Sequence, residues 1–131
     1  MGERHDSMVE NIKTLVLGAS TKPERYAYKA VALLTNKHFE VAAMGVTNGE
    51  IGSVPILKPF TPLDEIHTVS IYLAPSRQKE YYDYIIELKP KRVIFNPGTE
   101  NIELAQLLTQ ANIHCENACT LVLLSTNQYQ A

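Results

Sequence analysis

The stretch Lys13-Thr14-Leu15-Val16-Leu17-Gly18-Ala19-Ser20 holds the pattern on which the fold prediction depends. A short apolar run that ends at a glycine, Gly18, is typical of a strand buried on both faces of a sheet. Downstream, apolar residues recur at helical spacing between Tyr26 and Asn36, and a second apolar run, Phe39–Met44, again ends at a glycine, Gly45. The order strand, helix, strand predicts the first crossover of a parallel sheet.

The rest of the chain repeats this alternation of strands and helices. The elements predicted after Gly45 are strands at 68–73, 92–95 and 113–115 and helices at 77–88 and 100–111. With right-handed crossovers they make the chain an α/β protein. We expect a Rossmann-like, doubly wound parallel sheet of about five main strands in the order 3-2-1-4-5, with helices on both faces.

Three segments carry weaker signals. Residues 54–57 read as a short extended piece between turns, and residues 61–66 as a single helical turn capped by Thr61. The apolar run 121–124 is too short to assign.

Length and composition favour one globular domain. The chain has 131 residues, of which 45% are hydrophobic and 20% charged. Twelve basic and fourteen acidic residues give a net charge of −2, which argues against a protein that coats nucleic acid, because such binding needs clustered Lys and Arg. No apolar run is long enough to span a bilayer, and Met1–Asn11 is polar without a signal-peptide stretch. We expect a cytoplasmic protein with a flexible arm over 1–11 and one domain over 12–131.

Ligands of an open parallel sheet bind beyond the carboxyl ends of its strands. The loop after the first strand, Gly18–Tyr26, is the most informative segment there. Gly18 lets the backbone approach a ligand closely, and hydroxyl groups and unpaired amides at the following helix start can hold phosphate oxygens. Lys22, Arg25 and Lys29 add positive charge, opposed locally by Glu24.

A purely structural interpretation of the same loop is also open. Thr21-Lys22-Pro23-Glu24 fits a capping box, in which Thr21 and Glu24 satisfy the helix start without any ligand. Two familiar nucleotide signatures are absent from the sequence. Pro23-Glu24-Arg25 stands where a Walker A loop needs Gly-Lys-Ser/Thr, and Met44–Asn48 lacks the acidic residue that dinucleotide sites place after the second strand.

Three loops together resemble the small, stand-alone members of the CoA-binding family, which are similar to the N-terminal CoA-binding domain of the succinyl-CoA synthetase alpha subunit. The motifs that carry this resemblance are Gly18-Ala-Ser-x-x-Pro-x-Arg-Tyr26, Val46-Thr-Asn48 with Glu50-Ile-Gly52, and Pro97-Gly98 with Glu100-Asn-x-Glu103. The resemblance runs from Lys13 to Leu124. It does not extend to the domain that carries the synthetase's phosphohistidine.

The resemblance implies a site for CoA or an acyl-CoA. Its phosphates and ADP portion would be held by Gly18, Ser20, Arg25 and the helix start, and the turns 46–48 and 74–76 would flank the nucleotide. The binding residues implied in this way are Gly18, Ala19, Ser20, Thr21, Lys22, Arg25, Tyr26, Val46, Thr47, Asn48, Ala74, Pro75, Asn96 and Gly98.

No pattern in the sequence identifies a catalyst or a metal site. Ser20 lacks the second glycine of a nucleophile elbow, and Cys115 and Cys119 lack the two-residue spacing of zinc or redox pairs. The four histidines are scattered, and Asp64-Glu65 reads as an exposed turn. We therefore predict no catalytic residue and no metal ligand.

The leading hypothesis is a CoA or acyl-CoA binding protein without catalytic machinery of its own. One alternative is a subunit or half of an acyl-CoA-using enzyme whose other residues come from a partner chain. Another is a binder of a different adenine nucleotide such as NAD(P), and a structural role with a vestigial site also stays open. We expect a small-molecule nucleotide ligand and neither nucleic acid nor membrane as partner. Tyr81, Tyr82 and Tyr84 leave a homo-oligomer open.

Overall fold

Seven strands form one sheet in the order β3-β4-β2-β1-β5-β6-β7 in a computed structural model that describes residues 12–130. The predicted arm over 1–11 and Ala131 lie outside the described residues. Six strands run parallel, and only the short β3 is antiparallel to its neighbour β4. The strands are β1 Thr14–Leu17, β2 Val41–Met44, β3 Glu50–Ile51, β4 Val54–Leu57, β5 Thr68–Ile71, β6 Arg92–Phe95 and β7 His114–Asn117.

Helices cover both faces of this sheet. They are α1 Tyr26–Asn36, α2 Pro75–Gln78, a 3-10 turn Lys79–Tyr81, α3 Tyr82–Leu88, α4 Ile102–Gln110 and α5 Thr120–Ser125. Helices α1 and α5 share one apolar core, whose members include Val16, Ala43 and Ile94. Helices α3 and α4 share the other, which takes in Leu15 and Leu17. All four residues of β1 are buried because the strand lies between these two cores.

The structure confirms the α/β, Rossmann-like class with helices on both faces, and corrects the strand count and order. The extended piece at 54–57 is a full member of the sheet, and with β3 it raises the number of strands to seven. The extended piece at 54–57 is β4, and it pairs with the edge of β2 at which the strand at 68–73 was expected. The strand predicted at 68–73 is β5, which pairs with β1 and β6 in the other half of the sheet.

Several predicted helices also need correction. Residues 61–66 are not helical, and the helix predicted at 77–88 begins earlier and is interrupted by the 3-10 turn. The helix predicted at 100–111 begins at Ile102, because Asn101 caps it by accepting a hydrogen bond from Leu104 N. The unassigned run at 121–124 belongs to α5. Within residues 12–130, no helix has the length and apolar character needed to cross a membrane.

Candidate functional site

The loop after β1 is fastened to the end of β2 through the backbone. Gly18 N and Ala19 N both donate to Met44 O at 2.9 Å. A methyl group on Gly45 would lie 2.5 Å from Ala19 O, so the two chains pass too close for a side chain at this position. Gly18 has φ +97, and a Cβ there would meet the backbone of Tyr72 at 3.1 Å. The close approach at Gly18 is therefore one between segments of the protein's own backbone, and it joins the ends of β1, β2 and β5. The predicted approach to a ligand stays a prediction.

The middle of the same loop packs on the turn that follows β2. A Cβ on Gly49, which has φ +145, would lie 2.6 Å from Thr21 Cγ2. Ser20 Oγ accepts a hydrogen bond from Lys22 N at 3.1 Å, which closes a small turn inside the loop. Thr21 is half-buried by this packing. The conformation of the loop is thus held by contacts within the protein.

The start of α1 carries positive rather than negative side chains. Arg25 is the N-cap residue, makes no side-chain cap hydrogen bond to the described residues, and is followed by a first turn without an acidic residue. The first bond of helical type runs from Lys29 N to Arg25 O at 3.1 Å, so the amides of Tyr26, Ala27 and Tyr28 make no bond of this type. The capping box proposed for Thr21 and Glu24 does not form, because the helix begins five residues beyond Thr21.

The end of β5 is tied to the loop after β6 by a buried glutamine. Gln78 Nε2 donates to Leu73 O and to Thr99 O, both at 2.8 Å, and its Oε1 accepts from Asn101 Nδ2 at 2.9 Å. These bonds fix the positions of Ala74 and Pro75, which are exposed at the start of α2. Sequence reasoning missed Gln78, because a glutamine in an amphipathic helix is ordinarily a surface residue.

Asn96 lies inside the protein rather than at its surface. Its side-chain nitrogen donates to Ser70 Oγ and Ile71 O, and its Oδ1 accepts from Thr120 N. It therefore positions the loop that follows β6, where Gly98 is exposed, and its own polar atoms are engaged within the fold. Of the predicted binding residues, Asn96 and Ala19 are the two that the structure buries.

A buried hydroxyl lies beside this network. Tyr72 OH is buried and has no hydrogen-bond partner among residues 12–130, although Ser70 and Thr120 are its polar neighbours. Burial raises the pKa of Tyr72 to about 12, so the group is neutral at ordinary pH. An unpaired buried hydroxyl costs stability. No sequence pattern marks such a group.

The remaining predicted residues form an open rim around the Gly18 loop. Lys22, Arg25 and Tyr26 are exposed on the α1 side, and the Val46–Asn48 turn is exposed on the β2 side. Side-chain exposure is 67% for Tyr26 and 70% for Val46, which leaves apolar surface in solvent on both sides of the loop. Apart from the buried Ala19 and Asn96, the structure therefore places the predicted residues at the surface along the carboxyl edge of the sheet.

The described residues offer no obvious nucleophile or metal site. No group of three or more His, Cys, Asp or Glu side chains in residues 12–130 is arranged to hold a metal ion. Burial raises the pKa of the Cys115 thiol, which keeps it protonated and weakly nucleophilic near neutral pH.

Tyr81, one of the three tyrosines considered for self-association, is buried in the core, and Tyr84 OH donates to Thr61 O at 2.6 Å.

This edge can be compared with known proteins. Residues 13–125 match the family described as the CoA binding domain. The chain belongs to the CoA-binding domain family. The match confirms the resemblance inferred from the loops and spans nearly all of the described residues. A comparison with curated proteins gave no match.

Several solved structures share the fold of this chain. A crystal structure of an uncharacterized protein is 42% identical, with a TM-score of 0.87, and the match covers 89% of this chain and 97% of that one. A protein from Thermus thermophilus is 17% identical with a TM-score of 0.81, and the match covers 96% of this chain and 95% of that one. A hypothetical protein from Pyrococcus horikoshii OT3 is 22% identical with a TM-score of 0.80, and the match covers 95% of this chain and 89% of that one. The last two share the fold, and at such identities the likeness extends no further.

Proposed function

We propose that the protein is a binding module for CoA or an acyl-CoA. The ligand would bind at the carboxyl edge of the sheet, to the Gly18 loop and the start of α1. The phosphates would accept hydrogen bonds from the amides at the helix start and from Arg25. Ser20, Lys22 and Tyr26 would complete this side, and the Val46–Asn48 turn would face the adenosine. We assign no catalytic residue, so any reaction of the acyl group would use residues of another protein.

The observation that carries the proposal is the start of α1. A helix N-terminus concentrates partial positive charge and unpaired amides, and proteins ordinarily satisfy it with a capping side chain or an acid in the first turn. Here the cap residue is Arg25, which has no oxygen to offer the amides, and the first turn contains no acid. Such an arrangement suits a polyanionic ligand, because phosphate oxygens supply both acceptors and negative charge.

Apolar surface beside this positive end supports a nucleotide over a simple phosphate. Tyr26 and Val46 are mostly exposed on opposite sides of the loop, and neither is used in a core. A ring of adenine or the chain of pantetheine can cover such side chains, and removing apolar area from water is favourable by about 25 cal/mol per Å². Inorganic phosphate gains nothing from these side chains.

Calorimetric titration with CoA tests the proposal. We expect CoA to bind, the affinity to fall with added salt, and Arg25→Ala to weaken binding about 10-fold or more, since a hydrogen bond to a charged group contributes about 1.5–3 kcal/mol. Lys37→Ala is the matched control, because it removes one positive charge at the other end of the same helix. We expect wild-type affinity for this variant.

Two outcomes would count against a CoA site. One is equal affinity for CoA and inorganic phosphate, which would leave the exposed apolar rim without a role. The other is an equal loss of affinity in Arg25→Ala and Lys37→Ala, which would show that net charge, rather than the helix start, governs binding. A thermal-shift series with CoA, acetyl-CoA, ADP, NAD and NADP separates CoA from other adenine nucleotides, since a ligand at 100 times its Kd stabilises by about 2.7 kcal/mol.

A further inference from the structure

Two helix starts at the carboxyl edge of the sheet carry opposite charge. The start of α1 has Arg25 as its cap residue and no acid in its first turn. By contrast, α4 has Glu103 in its first turn and Glu100 just before its cap residue. All three residues are exposed. The edge is therefore positive beyond β1 and negative beyond β6.

Both acids at the start of α4 are held by hydrogen bonds to neighbouring groups. Glu100 Oε1 accepts from Gly98 N at 2.9 Å, and Glu103 Oε1 accepts from Tyr82 OH at 2.9 Å. The two donors are uncharged, so these bonds position the carboxylates without neutralising them. A ligand group above this loop therefore meets fixed negative charge.

An exposed apolar side chain lies between the two acids. Ile102 is the first residue of α4 and is 78% exposed. The same helix buries Leu104 and Leu108 in the core, so its packing does not depend on Ile102. An apolar group that covered Ile102 would remove apolar surface from water, which is favourable.

A basic residue, Arg77, lies in the neighbouring helix α2. Its charge acts on Tyr81, since burial and the charge of Glu80 raise the pKa of that tyrosine and the charge of Arg77 lowers it. Arg77 and Glu80 thus act around Tyr81 in opposite directions. The charge beyond β6 is accordingly set by the two acids at the start of α4.

The direction of the ligand follows from the proposed function, on which this inference rests. With the phosphates at the start of α1 and the adenosine at the Val46–Asn48 turn beyond β2, the pantetheine arm leaves towards β5 and β6. The distance from β1 to β6 is two strand spacings, about 10 Å, and the arm is at least as long as three extended residues, also about 10 Å. The thioester end can therefore reach the loop that carries Glu100 and Ile102.

We propose that the site selects CoA thioesters whose acyl group is uncharged, with Ile102 contacting the acyl chain and Glu100 and Glu103 excluding an acyl carboxylate. The terminal carboxylate of a dicarboxylic acyl group would come close to two negative charges, and like charges brought together weaken binding. A short apolar chain meets no such repulsion and covers Ile102. Specificity thus combines an attractive contact with a repulsive one.

Calorimetric titration with butyryl-CoA and succinyl-CoA tests this selection, because both acyl groups have a four-carbon chain and only the second ends in a carboxylate. We expect succinyl-CoA to bind about tenfold more weakly, a difference of about 1.4 kcal/mol. The double variant Glu100→Gln with Glu103→Gln should bring the two affinities to within about twofold, because it removes both charges. Glutamine still offers an oxygen to Gly98 N and Tyr82 OH, so the loop keeps its bonds. Glu87→Gln, an exposed position near the end of α3, is the matched control and should keep the tenfold difference.

Further variants separate the possible outcomes. Ile102→Ser should weaken binding of butyryl-CoA and leave that of CoA unchanged. Equal affinity of the unaltered protein for the two thioesters, or a tenfold difference that persists in the double variant, would overturn the selection and leave the CoA site standing. Tighter binding of succinyl-CoA that is lost in Arg77→Ala would also overturn it, and would assign the acyl carboxylate to Arg77. Failure of CoA itself to bind would instead refute the proposed function, and this inference with it.

Discussion

Replacing Gly45 by alanine tests the idea that the ligand loop is shaped by close packing of backbone against backbone. The added methyl would lie 2.5 Å from Ala19 O and 3.2 Å from Ala19 N. Ordinary carbon-to-oxygen contacts are about 3.3 Å or longer, so the two segments must separate by roughly 0.8 Å. Backbone atoms cannot rotate out of the way as the end of a side chain can.

The expected cost has two parts. Overpacking of this kind costs about 1–3 kcal/mol, and separating the segments also weakens the hydrogen bonds from Gly18 N and Ala19 N to Met44 O. We expect a loss of about 2–3 kcal/mol in the free energy of unfolding, which corresponds to a fall of roughly 10 °C in Tm for a chain of this size. Since Ala19 moves, CoA affinity should fall by about tenfold or more.

The assay combines urea unfolding with calorimetric titration of CoA, and Gly52→Ala is the control. Gly52 lies in the β3–β4 turn with φ +61 and open space around its Cβ position. This variant pays only for the left-handed backbone, about 1–2 kcal/mol, and should bind CoA normally. A Gly45→Ala protein with wild-type stability and affinity would refute the packing argument, as would an equal loss of affinity in Gly52→Ala.

Three further predictions concern Gly49, Asn96 and the tyrosine pair Tyr72 and Tyr84. Gly49→Ala should weaken CoA binding because its methyl strikes Thr21 Cγ2, and adding Thr21→Ser should recover part of the loss in calorimetric titration; no recovery would contradict the contact. Asn96→Leu should lower the free energy of unfolding in urea by about 2–4 kcal/mol, because it removes three buried hydrogen bonds and, of the three partners, only Ser70 Oγ keeps another side-chain bond, to Thr120 Oγ1. A change within 0.5 kcal/mol, a margin typical of surface sites, would be incompatible with the network. Tyr72→Phe should be neutral or stabilising at pH 7, whereas Tyr84→Phe should cost about 1 kcal/mol for its bond to Thr61 O. Burial raises the pKa of both tyrosines to about 12, above the unfolded value of 10, so these two groups leave the stability of the folded state unchanged below pH 10 and lower it as the pH rises towards 12. Unfolding midpoints against pH should therefore fall less steeply in Tyr72→Phe, and an unchanged slope would be the contrary result.

The parts of the fold that were predictable are those in which one local pattern and the tertiary environment agree. β1 is such a case, because an apolar run flanked by glycine is also the strand buried between two cores. For β4 the sequence predicts only a short extended piece between turns, since Gly49, Gly52, Pro55 and Pro59 interrupt the strand pattern. It is a strand because β2 pairs with it on one side and β3 on the other.

The ends of the helices also depend on tertiary contacts as well as on the local sequence. The helix predicted at 100–111 has Thr99 as its predicted cap, which is wrong, although threonine and asparagine are both good capping residues. The structure chooses Asn101, because Thr99 Oγ1 donates instead to Asn96 O at 2.7 Å. α5 could not be assigned because six residues carry little helical signal, and its packing against α1 is a tertiary effect.

The candidate site was predictable where glycines and charges mark it along the chain. Gly18, Thr21 and Arg25 were predictable as residues of the carboxyl edge, because the fold class fixes which loop lies there, while their contact with a ligand stays a prediction. Gln78 and Tyr72 were not, because their roles come from hydrogen bonds, made or missing, to partners in other elements. Contacts between distant segments leave no periodic trace in a sequence.

The side chain of Tyr129 has a consequence for how the protein is made. Its ring is fully buried, and its hydroxyl shares a hydrogen bond with Thr14 on the central strand, 115 positions earlier. Arg92 covers one face of the ring, and Phe39 meets it edge to face. During translation, the start of β1 at Thr14 stays exposed to water on this side until residue 129 has been added. A nascent chain that stops before residue 129 should therefore be readily recognised by chaperones and proteases.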